Sequence, residues 1–245
     1  MFRLKDPPGT RFQAWYLDRG KAGLDRVAAG LLLILAAPLM ALCAVGVRIG
    51  LGRGVLFRQA RAGLDCRPFT CLKFRTMKPD RRRGRAPFAG PDRRAPLPGP
   101  DDPRRTTLGN LLRRFCLDEL PQLVNVLRGE MSLVGPRPEM LDHLVAYRGR
   151  DRVRFSVKPG LTGFWQVTRR DQALDLLTFV AEDVEYAVNC SLGNDLRILL
   201  RTPATILLRP AATEKAVCPA APAAAPIRRL SPDIPDPGRS PPPPG

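Results

Sequence analysis

Residues 116–140 read CLDELPQLVNVLRGEMSLVGPRPEM, a stretch that joins an acidic pair, Asp118 and Glu119, to an arginine between two prolines, Arg137. Adjacent residues of a helix point about 100° apart, so the two carboxylates do not form a symmetric pair on either side of one bond. Asp118 and Glu119 are therefore expected to perform two different functions in one site. The prolines fix the backbone angle φ on both sides of Arg137, which restricts the loop that presents its guanidinium group.

Helical patterns surround this stretch. Proline is tolerated in the first turn of a helix, so Pro121 and the apolar residues after it predict a helix. Upstream, four apolar residues recur at helical spacing and predict another helix: Leu108, Leu111, Leu112 and Phe115. Downstream, residues 157–167 predict a turn and a short strand, and residues 176–207 predict two helices separated near residues 191–194.

Two short strand-like runs precede these helices, at residues 55–59 and 69–76, with turn residues at 63–65 between them. This pattern predicts a β-hairpin that carries Lys73 and Arg75 on its second strand. The predicted fold class is therefore α+β, mainly helical, with one β-hairpin.

Composition limits the class of protein. A chain of 245 residues can form one domain with its own core, and a net charge of +17 implies a polyanionic partner: nucleic acid, an anionic membrane surface or a phosphorylated substrate. The six cysteines include no Cys-x-x-Cys pair, which indicates reduced thiols rather than a zinc or thioredoxin-like site. The one histidine, His143, excludes a His-rich metal site, and we interpret it as an exposed helix residue.

Residues 27–47 run for twenty-one positions without a charge, which at a rise of about 1.5 Å per residue is enough to cross the core of a bilayer. A cleaved signal peptide is the weaker interpretation, because twenty-six residues precede the run and the run is longer than the apolar h-region of a normal signal peptide. We therefore predict a membrane segment.

Basic residues flank this apolar run on both sides: Arg19, Lys21 and Arg26 before it, and Arg48, Arg53, Arg58 and Arg61 after it. The positive-inside rule assigns both flanks to the cytoplasm. Pro38, near the middle of the run, removes a backbone donor and favours a break in the helix. A re-entrant helix–break–helix satisfies both observations and is favoured over a helix that spans the membrane, which stays open as the alternative.

The chain divides by composition into four parts: an N-terminal basic segment (1–23), the re-entrant membrane helix (24–50), a cytoplasmic domain (51–209) and a Pro/Ala-rich tail (210–245). Residues 79–103 are rich in Pro, Gly and Arg and predict a mobile basic loop within the domain. The tail is predicted to be disordered, because its composition cannot bury enough apolar surface to order it.

Phosphoryl chemistry suits the acids and the cations together. One carboxylate would attack a phosphorus atom while the other holds Mg²⁺, which lets two anions approach each other. Four basic residues are candidates to offset the charge of a bound diphosphate: Lys73, Arg75, Arg113 and Arg137.

Five motifs, in this order, resemble the bacterial sugar transferases, the monotopic polyprenyl-phosphate phosphoglycosyl transferases. They are LDRVAAGLLLILAAPLM (24–40), FRQARAGLDCRPFTCLKFRTM (57–77), the stretch from DDPRRTTLG to GPRPEM (101–140), VKPGLTGFWQV (157–167) and DVEYAVNCSLGNDL (183–196). The resemblance implies a membrane re-entrant helix packed with a small cytoplasmic catalytic domain.

The resemblance also implies an activity: transfer of a sugar 1-phosphate from a nucleotide diphosphate sugar, with UDP as the expected nucleotide, to polyprenyl phosphate. Mg²⁺ is the implied cofactor, and a covalent aspartyl phosphosugar is the implied intermediate. Such a step initiates the synthesis of exopolysaccharide or O-antigen type glycans at the cytoplasmic face of the bacterial inner membrane. The implied partners are the two substrates and the bilayer, without nucleic acid.

Residue roles follow from the same resemblance. Asp118 matches the nucleophile of the family and Glu119 its metal ligand. The other matching positions are Lys73, Arg113 and Arg137, which contact substrate phosphates or support the site, Gln166 in the GFWQV motif, Pro38 as the proline that breaks the membrane helix, and Asp183 and Tyr186 in the DVEY motif.

Two other functions stay open. A membrane-tethered basic protein that binds anionic lipid or nucleic acid fits the charge, although an aromatic content of 6% disfavours recognition of nucleic acid by base stacking. An ordinary glycosyltransferase would move the sugar without its phosphate. The released nucleotide distinguishes the two transferases, because phosphosugar transfer releases a nucleoside monophosphate and glycosyl transfer releases a diphosphate.

Overall fold

The computed structural model describes Tyr16, residues 20–78, residues 104–164, Val167 and residues 176–207. These parts are mostly helical, with a three-stranded and a two-stranded sheet. The elements in chain order are α1 (Lys21–Leu51), β1 (Leu56–Ala62), β2 (Pro68–Phe74), α2 (Thr107–Arg114), α3 (Gln122–Leu127), β3 (Ser132–Val134), β4 (Glu139–Met140), β5 (Gly160–Thr162), α4 (Leu176–Val188) and α5 (Leu192–Leu207). The predicted α+β, mainly helical class is confirmed.

α1 is a long apolar helix near the N-terminus. It consists largely of Ala and Leu, which favour helix, and it ends where Gly52 adopts a φ of 79°. It has 31 residues and contains an 18-residue window with a mean hydropathy of 2.5, so it is long and apolar enough to cross a membrane. One side packs against the rest of the chain through Ala29, Cys43 and Val47, whereas four apolar side chains of the other side are 70–80% exposed: Ile34, Leu35, Leu42 and Ile49.

Pro38 lies inside α1, which is a single helix from Lys21 to Leu51. The predicted interruption into two helices at Pro38 is therefore not seen. A proline removes one backbone donor and crowds one preceding carbonyl, and a helix can continue on both sides of that defect. The path of α1 relative to a bilayer stays a prediction.

The predicted hairpin is confirmed, with a longer first strand. β1 pairs antiparallel with β2 from Leu56 opposite Phe74 to Ala62 opposite Pro68. The turn between them contains Asp65 and Cys66 with positive φ values of 53° and 61°. β4 adds to the other edge of β1, which gives the strand order β2-β1-β4, and β3 and β5 form a separate parallel pair.

The main core brings α1, α3, β3, α4 and α5 together. Its buried residues are Ala29, Leu123, Val126, Met131, Leu133, Val134, Tyr186, Cys190 and Ile198. Asn125, which is fully buried, joins α3 to the outer edge of β2: its Oδ1 accepts from Leu72 N at 3.0 Å and its Nδ2 donates to Thr70 O at 2.8 Å. The side chain thus satisfies backbone groups that an edge strand leaves unpaired.

Several other predicted elements are confirmed: the helix around residues 108–115 is α2, the helix after Pro121 is α3, the short strand is β5, and the last two helices are α4 and α5. His143 lies, as predicted, in an exposed helical segment, the 3₁₀ helix Leu141–Ala146. Residues 79–103, residues 210–245, most of residues 1–23 and Gln166 lie outside the described residues, so the predictions made for them stay predictions.

Candidate active site

The acidic pair lies in a short 3₁₀ turn, Leu117–Glu119, rather than at the start of a longer helix. Cys116 introduces this turn with a left-handed backbone conformation, φ 56° and ψ 21°, which is unusual for a residue other than glycine. The chain therefore changes direction sharply between α2 and α3. The turn points the two carboxylates into different surroundings.

Glu119 lines a small cleft that is partly open to solvent. The cleft is bounded by the β1–β2 hairpin on one side and by β5 and the loop after β3 on the other. Its lining residues are Arg61, Cys71, Lys73, Glu119, Gln122, Gly135, Arg137, Pro138, Gly160 and Leu161. Three basic side chains and one carboxylate therefore face the same small volume, which suits an anionic ligand.

Lys73 and Glu119 form an ion pair across this cleft. Lys73 Nζ donates to Glu119 Oε1 at 2.6 Å, and both side chains are about one-fifth exposed, at 22% and 18%. Lys73 reaches the cleft because β2 alternates its side chains between two faces: Cys71 and Lys73 face the cleft, whereas Leu72 and Phe74 are buried in the core.

Asp118 does not line the cleft; it is buried next to it, with 9% of its surface exposed. Burial raises the pKa of Asp118 above the ordinary aspartate value, and the negative charge of Glu119 raises it further, whereas Lys73 and Arg113 act in the opposite direction. The two acids therefore lie in different surroundings: Asp118 is buried between charged groups, whereas Glu119 borders the open cleft.

The loop that carries Arg137 is held by close backbone contact with β5. Gly160 N donates to Pro136 O at 2.8 Å, and Gly135 N donates to Thr162 O at 2.9 Å. A Cβ atom on Gly160 would collide with the main chain of Gly135, so only glycine fits this approach. The glycines of LVGPRP and KPGLTG thus fix the position of Arg137 at the cleft.

Arg154 binds the main chain of the same loop. Its Nη2 donates to Arg137 O at 3.0 Å and to Asp183 Oδ2 at 2.5 Å, and its Nη1 donates to Tyr147 Oη at 2.7 Å and to Glu139 Oε2 at 3.2 Å. The side chains of Arg154 and Asp183 are each only 3% exposed. A buried cation between two carboxylates therefore anchors the main chain of Arg137.

The two carboxylates of this network titrate differently. Burial raises the pKa of Asp183 to about 6, although the charge of Arg154 acts against this. Burial also acts to raise the pKa of Glu139, but hydrogen bonds from Tyr147 Oη and Met140 N and the charge of Arg154 outweigh it and lower the pKa. Glu139 is thus the better stabilised anion of the pair.

The structure brings most of the predicted site residues together. Lys73, Glu119 and Arg137 line the cleft, Asp118 lies beside it, and Arg113 is close enough to lower the pKa of Asp118. Arg75 has a different position: its Nη2 donates to the main-chain oxygen atoms of Leu51 at 2.5 Å and Gly52 at 3.2 Å. A cation at the carbonyl end of α1 stabilises that helix end, which explains Arg75 without a substrate.

Three residues of this region were not predicted to belong to the site. Arg61 and Gln122 line the cleft, and Arg154 supports Arg137. The alternation of the strand could have found Arg61, because it lies two residues after Gln59, which pairs with Cys71. Arg154 lies in an arginine-rich run, GRDRVRFS, where nothing in the pattern distinguishes a buried arginine from an exposed one.

The residues present fit a Mg²⁺ ion. Among the residues that the structure describes, no three His, Cys, Asp or Glu side chains cluster so that they could hold a metal ion alone. Mg²⁺ commonly binds through one or two carboxylates and takes its other ligands from substrate phosphates and water. Glu119 at the cleft, with Asp118 buried beside it, supplies a carboxylate of this kind.

Comparison with known proteins identifies the family of the chain. The pattern of the bacterial sugar transferase family matches residues 16–209. The UDP-glucose:undecaprenyl-phosphate glucose-1-phosphate transferase of Caulobacter vibrioides is 40% identical over 207 residues, which cover 82% of this chain and 74% of that protein. The exopolysaccharide production protein ExoY of Rhizobium meliloti is 41% identical over 196 residues, which cover 77% of this chain and 86% of that protein.

A relative from Escherichia coli with the same name as the Caulobacter protein is 37% identical over 189 residues, covering 74% of this chain but 39% of that longer protein. The family pattern includes the hairpin, the acidic turn and the Arg137 loop, so it spans every element that borders the cleft. The chain therefore belongs to the bacterial sugar transferase family.

Proposed function

We propose that the protein transfers a sugar 1-phosphate from a nucleotide diphosphate sugar, with UDP as the nucleotide, to a membrane polyprenyl phosphate. The observation that carries the proposal is the acidic turn Leu117–Glu119 beside a cleft that Arg61, Lys73 and Arg137 line. The names of the relatives from Caulobacter vibrioides and Escherichia coli, which specify UDP-glucose and undecaprenyl phosphate, support the choice of substrates. The name of the Rhizobium meliloti relative supports a role in exopolysaccharide synthesis.

The first step that we propose forms a covalent intermediate. A carboxylate oxygen of Asp118 attacks the phosphorus atom that bears the sugar, so a bond forms between Asp118 and phosphorus. The bond from that phosphorus to the bridging oxygen breaks, and its electron pair leaves with the nucleoside monophosphate. Because Asp118 is only 9% exposed, the acyl phosphate would be shielded from water.

In the second step an oxygen atom of polyprenyl phosphate attacks the same phosphorus. The bond to Asp118 breaks, the carboxylate is regenerated, and the product leaves as polyprenyl diphosphate sugar. The cleft supports both steps electrostatically, because Lys73 and Arg137 lie where a bound diphosphate would bring negative charge. Burial and Glu119 raise the pKa of Asp118, and the charges of Lys73 and Arg113 act against that rise and so favour the ionised form that attacks.

A Mg²⁺ ion fits this mechanism as cofactor, with Glu119 as its proposed ligand and Asp118 close by. When bound, Mg²⁺ neutralises negative charge on the diphosphate oxygens. Glu119 is well placed for this task because it faces the cleft, and Asp118, which lies buried beside the cleft, is assigned the attack.

The proposed location is the cytoplasmic face of the bacterial inner membrane, with α1 in the bilayer. Both halves of α1 pack against one body: Ala29 joins the core with Leu123, and Val47 joins a second cluster with Phe74 and Leu112. A helix held at both ends by the same domain favours a monotopic arrangement, in which both ends of α1 lie on one side of the bilayer. Its exposed apolar side chains then contact lipid rather than water.

The experiment that tests this function identifies the released nucleotide. The purified full chain, in lipid nanodiscs with polyprenyl phosphate and Mg²⁺, is incubated with UDP-glucose and a panel of other nucleotide sugars. We expect release of UMP with at least one UDP-sugar and its loss in Asp118→Asn. Release of UDP would instead indicate an ordinary glycosyltransferase, and retention of UMP release in Asp118→Asn would contradict the role of Asp118.

A further inference from the structure

Arg61 is a second basic residue of the hairpin that lines the cleft. In the β1–β2 pairing Arg61 lies opposite Phe69, whereas Lys73 lies opposite Phe57. The two basic residues are therefore four residues apart along the hairpin, which corresponds to about 13 Å of strand. Both face the same cleft, so the hairpin carries one cation beside Glu119 and a second cation farther along the hairpin.

The guanidinium group of Arg61 is held in a fixed orientation. Its Nε and Nη2 donate to Gln59 Oε1 at 3.1 Å and 2.7 Å, and its Nη1 donates to Pro138 O at 3.1 Å. All of these acceptors are neutral oxygen atoms. The hydrogen bonds thus orient Arg61 without neutralising its charge, in contrast to Lys73, whose charge is matched by Glu119.

Arg61 also lies close to a second guanidinium group, that of Arg137. Burial lowers the pKa of Arg61 and the charge of Arg137 lowers it further, whereas Cys71, Glu139 and Glu119 act in the opposite direction with smaller contributions. Both side chains line the same cleft, and the hydrogen bond from Arg61 to Pro138 O joins Arg61 to the Arg137 loop. Two like charges in a partly buried site repel each other, and an anion bound between them removes that repulsion.

We propose that Arg61 and Arg137 form a paired guanidinium site that binds a phosphate group of a substrate, separate from the Lys73–Glu119 ion pair. The inference rests on the proposed function and extends it by assigning a binding role to Arg61. Guanidinium groups bind phosphate through paired hydrogen bonds, and two oriented groups determine the position of the phosphate as well as its charge. The ligand is either a phosphate of the nucleotide diphosphate sugar or the phosphate monoester of the polyprenyl acceptor.

The test measures anion binding apart from catalysis. Inorganic pyrophosphate is titrated into the purified full chain by calorimetry, for the wild type and for Arg61→Gln. We expect the Kd to rise about 10- to 100-fold, because Arg61→Gln removes charge-assisted hydrogen bonds to the anion. Arg58→Gln is the matched control: Arg58 is an exposed arginine of the same strand that does not line the cleft, and its loss should leave the Kd unchanged.

Arg61 could act only by holding Pro138 and therefore Arg137, and a double variant distinguishes this from direct binding. If Arg61 binds the anion itself, Arg61→Gln weakens pyrophosphate binding further in an Arg137→Gln background. If it acts only through Arg137, Arg61→Gln has no added effect there, and the paired site is excluded. Thermal unfolding of each variant, together with Arg61→Lys, which keeps the charge, separates weaker binding from loss of the fold.

Two further titrations identify the substrate that supplies the phosphate. A selective loss of UDP-glucose affinity in Arg61→Gln assigns the site to the donor, and a selective loss of affinity for a short prenyl phosphate assigns it to the acceptor. Unchanged affinity for both ligands and for pyrophosphate would overturn the inference even in an enzyme that releases UMP. A wild type that binds pyrophosphate through Arg61 but releases no UMP would instead contradict the proposed function.

Discussion

Arg154 donates a hydrogen bond from Nη2 to the main-chain oxygen of Arg137 at 3.0 Å. The side chain of one arginine, 3% exposed, thus holds the backbone of another that faces the cleft. Arg154 is itself oriented by Glu139 and Asp183, and Tyr147 completes the network. The position of the Arg137 guanidinium group therefore depends on charges buried beneath the cleft.

Replacing Arg154 should destabilise the protein strongly. Arg154→Met leaves Asp183 and Glu139 without their cation, and breaking a buried ion pair costs about 3–5 kcal/mol of unfolding free energy. Denaturant unfolding in detergent measures the effect. The matched control is Arg152→Met, an exposed arginine of the same 3₁₀ helix, which should change the unfolding free energy by less than about 0.5 kcal/mol. Equal effects of the two substitutions would mean that the network contributes no special stability.

Arg137→Lys should reduce kcat/KM by about tenfold or more although it keeps the positive charge. Lysine offers a point charge where arginine offers two parallel hydrogen bonds, so the bidentate grip on a phosphate is lost. Arg137→Gln removes the charge as well and should be weaker still. Rates of UMP release at several UDP-sugar concentrations give the values. Near-normal turnover of the lysine variant would reduce Arg137 to a general source of positive charge.

Asp118→Asn should stabilise the fold at neutral pH while it abolishes turnover. The pKa of Asp118 is higher in the folded protein than in the unfolded chain, so the folded state binds this proton more readily. The stability that the group contributes is fully present below the ordinary aspartate pKa, and it is lost as the pH rises through the raised pKa. Above that pH the buried charge opposes folding, and asparagine removes it.

The measurement for this prediction is the midpoint of thermal unfolding at neutral and acidic pH. We expect a rise at neutral pH, about 2–4 °C for each kcal/mol of removed cost, that shrinks as the pH falls. Asp142→Asn, at an exposed position, serves as the control and should show no such trend. If Asp118→Asn raised the unfolding midpoint more at acidic pH than at neutral pH, the predicted direction of the pH dependence would be wrong.

Residues on either side of α1 should be accessible from the same side of the membrane. Single cysteines at positions 19 and 53, introduced as Arg19→Cys and Arg53→Cys in a variant without the native cysteines, are labelled with an impermeant thiol reagent. In intact cells we expect neither position to react, and in inverted membrane vesicles we expect both to react. Labelling of one position in cells and of the other in inverted vesicles would show that α1 spans the bilayer, contrary to the monotopic arrangement.

The elements that depend on local pattern could be predicted from the sequence. The strand-like runs predicted the hairpin and the position of Lys73 on its second strand, and the helical spacing predicted α2 and α3. The prolines on both sides of Arg137 predicted a restricted loop. In each case neighbours along the chain determine the outcome, so spacing carries the information. The acidic pair was recognised for the same reason, since its residues are adjacent.

The features that depend on contacts between distant segments could not be predicted. Arg75 follows Lys73 by two residues on the hairpin, yet it stabilises the end of α1, because the strand end meets that helix end only in the folded chain. Arg61 was missed because the first strand was predicted to end at residue 59, although it continues to Ala62. The role of Arg154 depends on burial between segments, which the arginine-rich sequence does not indicate.

The most direct measurement is mass spectrometry of the enzyme after mixing with a UDP-sugar alone, under quench conditions that preserve acyl phosphates. Because Glu119 faces the cleft and Asp118 is buried beside it, fragmentation has to assign the modified side chain. We predict a phosphosugar on Asp118 that persists in Glu119→Gln and is absent in Asp118→Asn. A phosphosugar on Glu119, or no adduct together with an active Asp118→Asn variant, would contradict the proposed mechanism.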